Sequence, residues 1–360
     1  MSAPLPYMPA IGKTVVRKIA VAGRRPLLDL SLNESSHGAS PLAVAAANAR
    51  CQLLMRYPDP ASTALRQAIG RRYDLPPDDL VCGNGSEELL DIIGRLYARP
   101  GDEILFSDHG FLQFAIVAQR VGATAVRAAE IDLTADIDAL LAAVSHRTRI
   151  LFLANPNNPT GTHVGAADLR RLRDGLPGDV VLVIDSAYAE YVDEPDYSAG
   201  HELVEGTDNV IVTRTFSKAF GLAALRVGWA HCPPAMSAVL NRMRGIGNVN
   251  AIAQAAAAAA LDDSGFIARV RDETARERAR VSVALAGLGL EVVPSVTNFV
   301  IARFPPGSNR GAAAAIGHLA GRDIVVRAVD DYDLPDHLRI TIGLPAENDR
   351  LVEGLASLHP

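Results

Sequence analysis

A single lysine, Lys218, lies in the stretch TRTFSKAFGLAALRVG (213–228), at the end of an apolar run and just after two hydroxyls, Thr215 and Ser217. Arg226 follows eight positions later. Lysine ordinarily sits on a solvated face. In a partly desolvated pocket beside other cations it gives up its proton more easily and becomes a nucleophile toward an aldehyde. Two further polar clusters stand upstream: NPNNPTG (155–161) directly after ILFLA, and Asp185 at the end of VVLVI with Tyr188 three residues on. Singly, each has an ordinary explanation, because Asn and Pro build turns and an aspartate after a strand often caps a helix. In this order, and at the ends of apolar runs, they suggest one shared ligand.

The cofactor that would need these groups together is pyridoxal 5′-phosphate. Lys218 is the candidate amine for its aldehyde. The ring withdraws electrons only while its pyridine nitrogen stays protonated, and Asp185 is placed to hold that proton. Asn158 and Tyr188 can donate to the ring oxygen, and Thr215, Ser217 and Arg226 offer hydroxyls and a fixed cation to the phosphate. In CGNGSEELLDII (82–93) a glycine-rich turn opens a helix, whose first N–H groups around Gly85, Ser86 and Glu87 form a further anion site. The stretch lacks the third glycine of a dinucleotide fingerprint and the GK[ST] of a phosphate-binding loop, which argues against NAD and ATP. Ser86 and Glu87 could also simply cap the helix.

Such groups need a scaffold that brings strand ends together. Short apolar runs (DEILFS, RTRILFLANP, DVVLVIDSAY, NVIVTRTF, VGWAHC) alternate with helical stretches such as 62–73 and 87–98. Continuous Val/Ile/Leu runs between helices predict parallel strands buried on both faces, and hence an α/β fold with a large, mostly parallel, doubly wound sheet. In such sheets ligands bind at the carboxyl ends of the strands. We place the large cofactor-binding domain at 46–240 and a smaller α+β domain at 241–360, with 1–45 an N-terminal arm contributing to the small domain. The Ala255–Ala260 run reads as a close-packed helix at a lobe or subunit contact.

The chain has 360 residues, enough for two lobes. With 49% hydrophobic residues, 21% charged residues and a net charge of -6 it argues against a nucleic-acid surface. Three scattered cysteines, Cys51, Cys82 and Cys232, fit a reducing cytoplasm and show no metal-ligand spacing. The N-terminus lacks the apolar core of a secretory signal, and the longest apolar stretch, Ala251–Leu261, is about half a membrane span.

Taken jointly, SLNESSHGASP, RYPDP, GNGSEEL, NPNNPTG, DSAY, TFSKAFGLAALRVG, VVRAV and HLRITIG resemble the fold-type I pyridoxal-phosphate-dependent aminotransferases, and among them the histidinol-phosphate aminotransferase family. The resemblance covers nearly the whole chain. It implies that Lys218 bonds covalently to the cofactor, Asp185 pairs with the pyridine nitrogen, Asn158 and Tyr188 bind the ring oxygen and Phe111 stacks on the ring. It implies that Tyr57 reaches the cofactor phosphate of a neighbouring subunit in a homodimer with shared sites. Arg339 would clamp a substrate carboxylate, Arg327 a substrate phosphate, and Tyr7 and Asn33 would close over the substrate. Three positions depart from the usual pattern: Ser35 for proline, Ser186 for glutamate and Phe111 for tyrosine. The expected reaction is transamination between histidinol phosphate and 2-oxoglutarate. Alternatives are an aromatic amino-acid aminotransferase, a decarboxylase of a phosphorylated amino acid such as threonine phosphate, and a non-catalytic sensor. The sensor would need a DNA-binding segment, which the residues ahead of the fold do not resemble.

Overall fold

The computed structural model describes residues 27–307 and 309–358, so Tyr7 and most of the arm lie outside the described residues. The apolar runs form a seven-stranded sheet. Its order is Leu80–Gly83, Gly228–His231, Val210–Thr215, Val181–Asp185, Thr148–Ala154, Glu103–Ser107, Thr124–Ala128. The last five of these run parallel to one another. The strand Gly228–His231, inside VGWAHC, does not: it is antiparallel to both neighbours. A parallel return needs a long crossover, usually a helix. Between Thr215 and Gly228 the chain makes only the 3₁₀ turn Ala223–Leu225, so it doubles back.

Helices cover both faces. The helices Ser86–Tyr97 and Gln113–Val121 bring Leu89, Ile93, Phe114 and Val117 onto the sheet, where Phe114 stacks on Phe152 at 4.7 Å. On the other face Leu169 and Leu172 of the helix Ala166–Gly175 meet Leu151, Leu153 and Leu182. Each such side chain, once buried, contributes roughly 1.5–3 kcal/mol of hydrophobic stabilisation. The alanine-rich helix Ala251–Asp262 packs against Pro41–Cys51 and Thr63–Tyr73, with Ala253, Ala256 and Ala257 fully buried. Small side chains there let the backbones approach closely.

A second, antiparallel sheet is ordered Glu291–Val293, Phe299–Arg303, His337–Thr341, Arg327–Ala328. In its register Arg327 faces Arg339, and directly opposed residues project from the same face. The strand Leu28–Asp29 pairs in parallel with Ile324–Val325. The chain then continues along His337–Thr341, where Leu30 O accepts from Thr341 N. Residues 31–33 are thereby delivered to the space between the two sheets.

Candidate active site

Asp185 and Thr215 are the last residues of two adjacent parallel strands, and Ala154 ends a third. Beyond them opens a cavity of about 740 Å³. Its walls carry Asn33, Ser86, Glu87, Phe111, Asn158, Asp185, Tyr188, Thr215, Ser217, Lys218, Arg226, Arg327 and Arg339. Groups widely separated in the chain are thus gathered around one space. Gly85 adjoins it through Ser86 and Arg226. Tyr57 lies elsewhere, 97% exposed.

At one end of the cavity, the helix Ser86–Tyr97 has Gly85 as its N-cap, and no side chain caps it. Ser86 is the first helical residue instead of the cap considered from sequence, and the leading N–H groups remain for a ligand. Arg226 lies beside this turn. Its Nη1 donates to Ser217 Oγ at 3.3 Å, and its Nη2 to Glu87 Oε2 at 3.4 Å. A Cβ on Gly85 would come within 2.7 Å of Arg226 Nη2, at a φ of +84° that L-residues rarely adopt. Arg226 itself has φ 51°, a strained value for a residue with a side chain and one that clusters at ligand clamps. Uncapped N–H groups, hydroxyls and a cation in a cradle too small for a side chain fit a phosphate dianion.

Deeper in the cavity wall, Asp185 is 4% exposed and accepts from Thr213 Oγ1 at 2.9 Å. Burial raises its pKa to about 6, the Thr213 hydroxyl opposing. A carboxylate buried at such a cost calls for a cation, which a protonated pyridine supplies. Of the three asparagines in NPNNPTG, two hold the turn: Asn155 bonds the backbone of Val164 through both amide atoms, and Asn157 donates to His109 O and Thr160 Oγ1. Asn158 faces the cavity. Its Oδ1 accepts from Arg339 Nη1, leaving its NH₂ for a ligand. Tyr188 Oη accepts from Asn33 Nδ2 at 2.9 Å, and burial lifts the phenol to about 12, so it stays a neutral donor.

Lys218 Nζ points into this space. It donates, at 3.4 Å each, to the carbonyls of Leu32 and Asn33, and it lies 5.5 Å above the Tyr188 ring. Its pKa falls to about 8, chiefly through burial, then through the Arg339 and Arg226 guanidinium groups. The free amine therefore grows in as pH rises toward 8. Mixing cofactor-free protein with pyridoxal phosphate in a stopped-flow spectrometer is expected to show capture accelerating with pH and levelling off above about 8. Acceleration that continued toward the ordinary lysine value would contradict this environment.

Arg339 is 6% exposed; Nη2 donates to Ser31 O at 2.7 Å, and Nε is without a partner among the described residues. Arg327 is half-buried and pairs with Asp331. Neither is a solvated edge-strand arginine. Ser186, in place of the usual glutamate, is fully buried and donates to Ala199 O. Sequence reasoning overlooked Thr213, which shares its strand face with Thr215, and Tyr332, which lines the cavity and accepts from Leu112 N. Alternation along VTRT could have revealed the first; nothing local marks the second.

The family model for aminotransferase class I and II matches residues 25–355. The chain belongs to the class I and II aminotransferases. A histidinol-phosphate aminotransferase of Paramagnetospirillum magneticum is 50% identical over 98% of this chain and 97% of its own. One from Maricaulis maris is 49% identical over 91% of each. The crystal structure of histidinol-phosphate aminotransferase from Sinorhizobium meliloti in complex with pyridoxal-5′-phosphate superposes with TM-score 0.87, at 30% identity over 93% of this chain and 92% of that one. This aminotransferase is accordingly a pyridoxal-phosphate enzyme with the fold-type I architecture. Among its described residues, no helix is long and apolar enough to cross a membrane.

Proposed function

We propose that this aminotransferase moves an amino group from histidinol phosphate to 2-oxoglutarate in the cytoplasm, using active sites completed by a second copy of the chain. The observation that carries the substrate reading is the pair Arg327 and Arg339, opposed in register and both lining the cavity. Two fixed guanidinium groups suit a substrate with an anion at one end, and the relatives at about half identity act on such a compound by name. Arg327 is the group for the phosphate, exchanging Asp331 for it. Arg339 takes the carboxylate of the oxo-acid partner. Asn33 is the described arm residue over the substrate.

Bound pyridoxal phosphate supplies an aldehyde and an electron-withdrawing ring. Lys218 is the residue that would hold it covalently, and once released it would carry the proton to and from the substrate α-carbon as general base and acid. Asp185 holds the ring nitrogen's proton. Asn158 and Tyr188 donate to the ring oxygen, and Phe111 covers the ring. The Gly85–Ser86–Glu87 helix start, Thr215, Ser217 and Arg226 anchor the phosphate.

Exposure supports the homodimer. Tyr57 is 97% exposed, and near it in sequence Leu54 is 72% and Met55 75% exposed, a bare apolar segment that a partner would cover. From there Tyr57 would enter the neighbouring site. The three cysteines are unpaired, as a reducing compartment requires.

The test is a single-turnover absorbance screen with histidinol phosphate, histidinol, phenylalanine, tyrosine and threonine phosphate. Histidinol phosphate is expected to react fastest, and Arg327→Gln to cut its preference over histidinol by roughly 10-fold or more, as for a lost hydrogen bond to a charged group. Faster reaction of phenylalanine or tyrosine, or CO₂ release from threonine phosphate, would replace this substrate with one of those alternatives.

A further inference from the structure

Thr213 is buried to 0% exposure and lies directly opposite Asp185 in the parallel pairing of Val181–Asp185 with Val210–Thr215. Its hydroxyl donates to Asp185 Oδ1 at 2.9 Å, while its carbonyl accepts from Ser186 N at 2.9 Å. The strand ladder thus fixes both backbones, and β-branching restricts the Thr213 χ1 that aims the hydroxyl. Thr215, on the same strand face, accepts from Ser217 N and so belongs to the phosphate side. A proton shared between a carboxylate and a pyridine nitrogen rests on the stronger base. Burial strengthens the carboxylate as a base and would draw the proton onto it; a hydroxyl donated to the ionised carboxylate does the opposite. Glu87 and Lys218, which line the same cavity, act on the Asp185 carboxyl in opposing senses. The hydroxyl is therefore the neutral device that offsets burial.

We propose that Thr213 is a positioning residue for Asp185: it holds one carboxylate oxygen, leaves the other to the ligand, and keeps the shared proton on the cofactor's ring nitrogen. The inference rests on Asp185 facing that nitrogen, as proposed above.

The test uses holoenzyme loaded with pyridoxal phosphate ¹⁵N-labelled in the ring, in wild type, Thr213→Val, Thr213→Ser and Asp185→Asn. The nitrogen resonance of Thr213→Val is expected to move from the protonated toward the neutral pyridine position. Its kcat should fall roughly tenfold, as for loss of a hydrogen bond to a charged group, with KM changed by less than about twofold. Thr213→Ser should restore both. If Asp185→Asn shifts the resonance and Thr213→Val does not, the role of Thr213 is overturned while that of Asp185 stands. If Asp185→Asn also leaves it in place, the carboxylate does not face the nitrogen and both fall. A fall in kcat with a stationary resonance marks a packing role and counts against the proposal.

Discussion

Lys218→Ala is expected to turn over at least about 10⁴-fold more slowly than wild type, because in the proposed site one substitution removes both the amine that would capture the cofactor and the general base. The cavity offers no substitute. Arg226, Arg327 and Arg339 are its other cations among the described residues, and a guanidinium cannot surrender its proton in this pH range. The proposed phosphate anchor does not include Lys218, so the variant should still bind pyridoxal phosphate, now without a covalent bond. Borohydride treatment followed by peptide mass analysis is the measurement. In wild type the cofactor should be fixed to the peptide containing position 218, and in the variant to none. Wild-type label on another lysine, or near-normal turnover of the variant, would remove Lys218 from the chemistry.

Asp185→Asn should lower kcat by roughly 10³-fold, the scale of breaking a buried charge pair by removing one partner. Asparagine has nearly the same shape and can still accept from Thr213, so the loss would come from charge. The same substitution carries a second, opposite expectation. The folded-state pKa of Asp185 is raised, from 3.8 to about 6, so its ionisation costs stability. That cost builds as pH rises from 3.8 through about 6 and is complete above it. At pH 7 it is roughly 3 kcal/mol in cofactor-free protein, at 1.36 kcal/mol per pKa unit. Cofactor-free Asp185→Asn should therefore melt higher than cofactor-free wild type at pH 7, with the difference vanishing near pH 4. A functional charge held against its own solvation would be stabilised by its ligand and not by the fold. Equal melting temperatures at both pH values would show that the carboxylate is not isolated from water.

That the proposed cofactor residues would share one cavity was legible in the sequence because they stand at strand ends. Asp185 terminates an apolar run, Lys218 follows another within three residues of Thr215, and NPNNPTG follows a third. In a parallel sheet these ends lie side by side, so local pattern and sheet class together place them. Gly85 was legible as part of a glycine-rich turn that opens a helix, whereas its positive φ beside Arg226 emerged only in the fold. The antiparallel strand Gly228–His231 was not legible. Composition marks a strand as buried without recording its direction, which depends on whether the connection has room to cross over.

By itself, the sequence determined the order and chemical types of the groups, the class of the sheet and, through the motifs taken jointly, the family. Tertiary structure alone decided which atoms meet. Arg339 reaches Asn158 across 181 positions, and Asn33 reaches Tyr188 across 155. The register that sets Thr213 against Asp185, and Arg327 against Arg339, comes from strand pairing. The physical reason is that residue type and spacing encode short-range preferences of the backbone, whereas hydrogen bonds between distant residues exist only after two sheets have packed. The displaced pKa values of Lys218 and Asp185 arise at that same step, when burial removes the water that would have held each at its ordinary value.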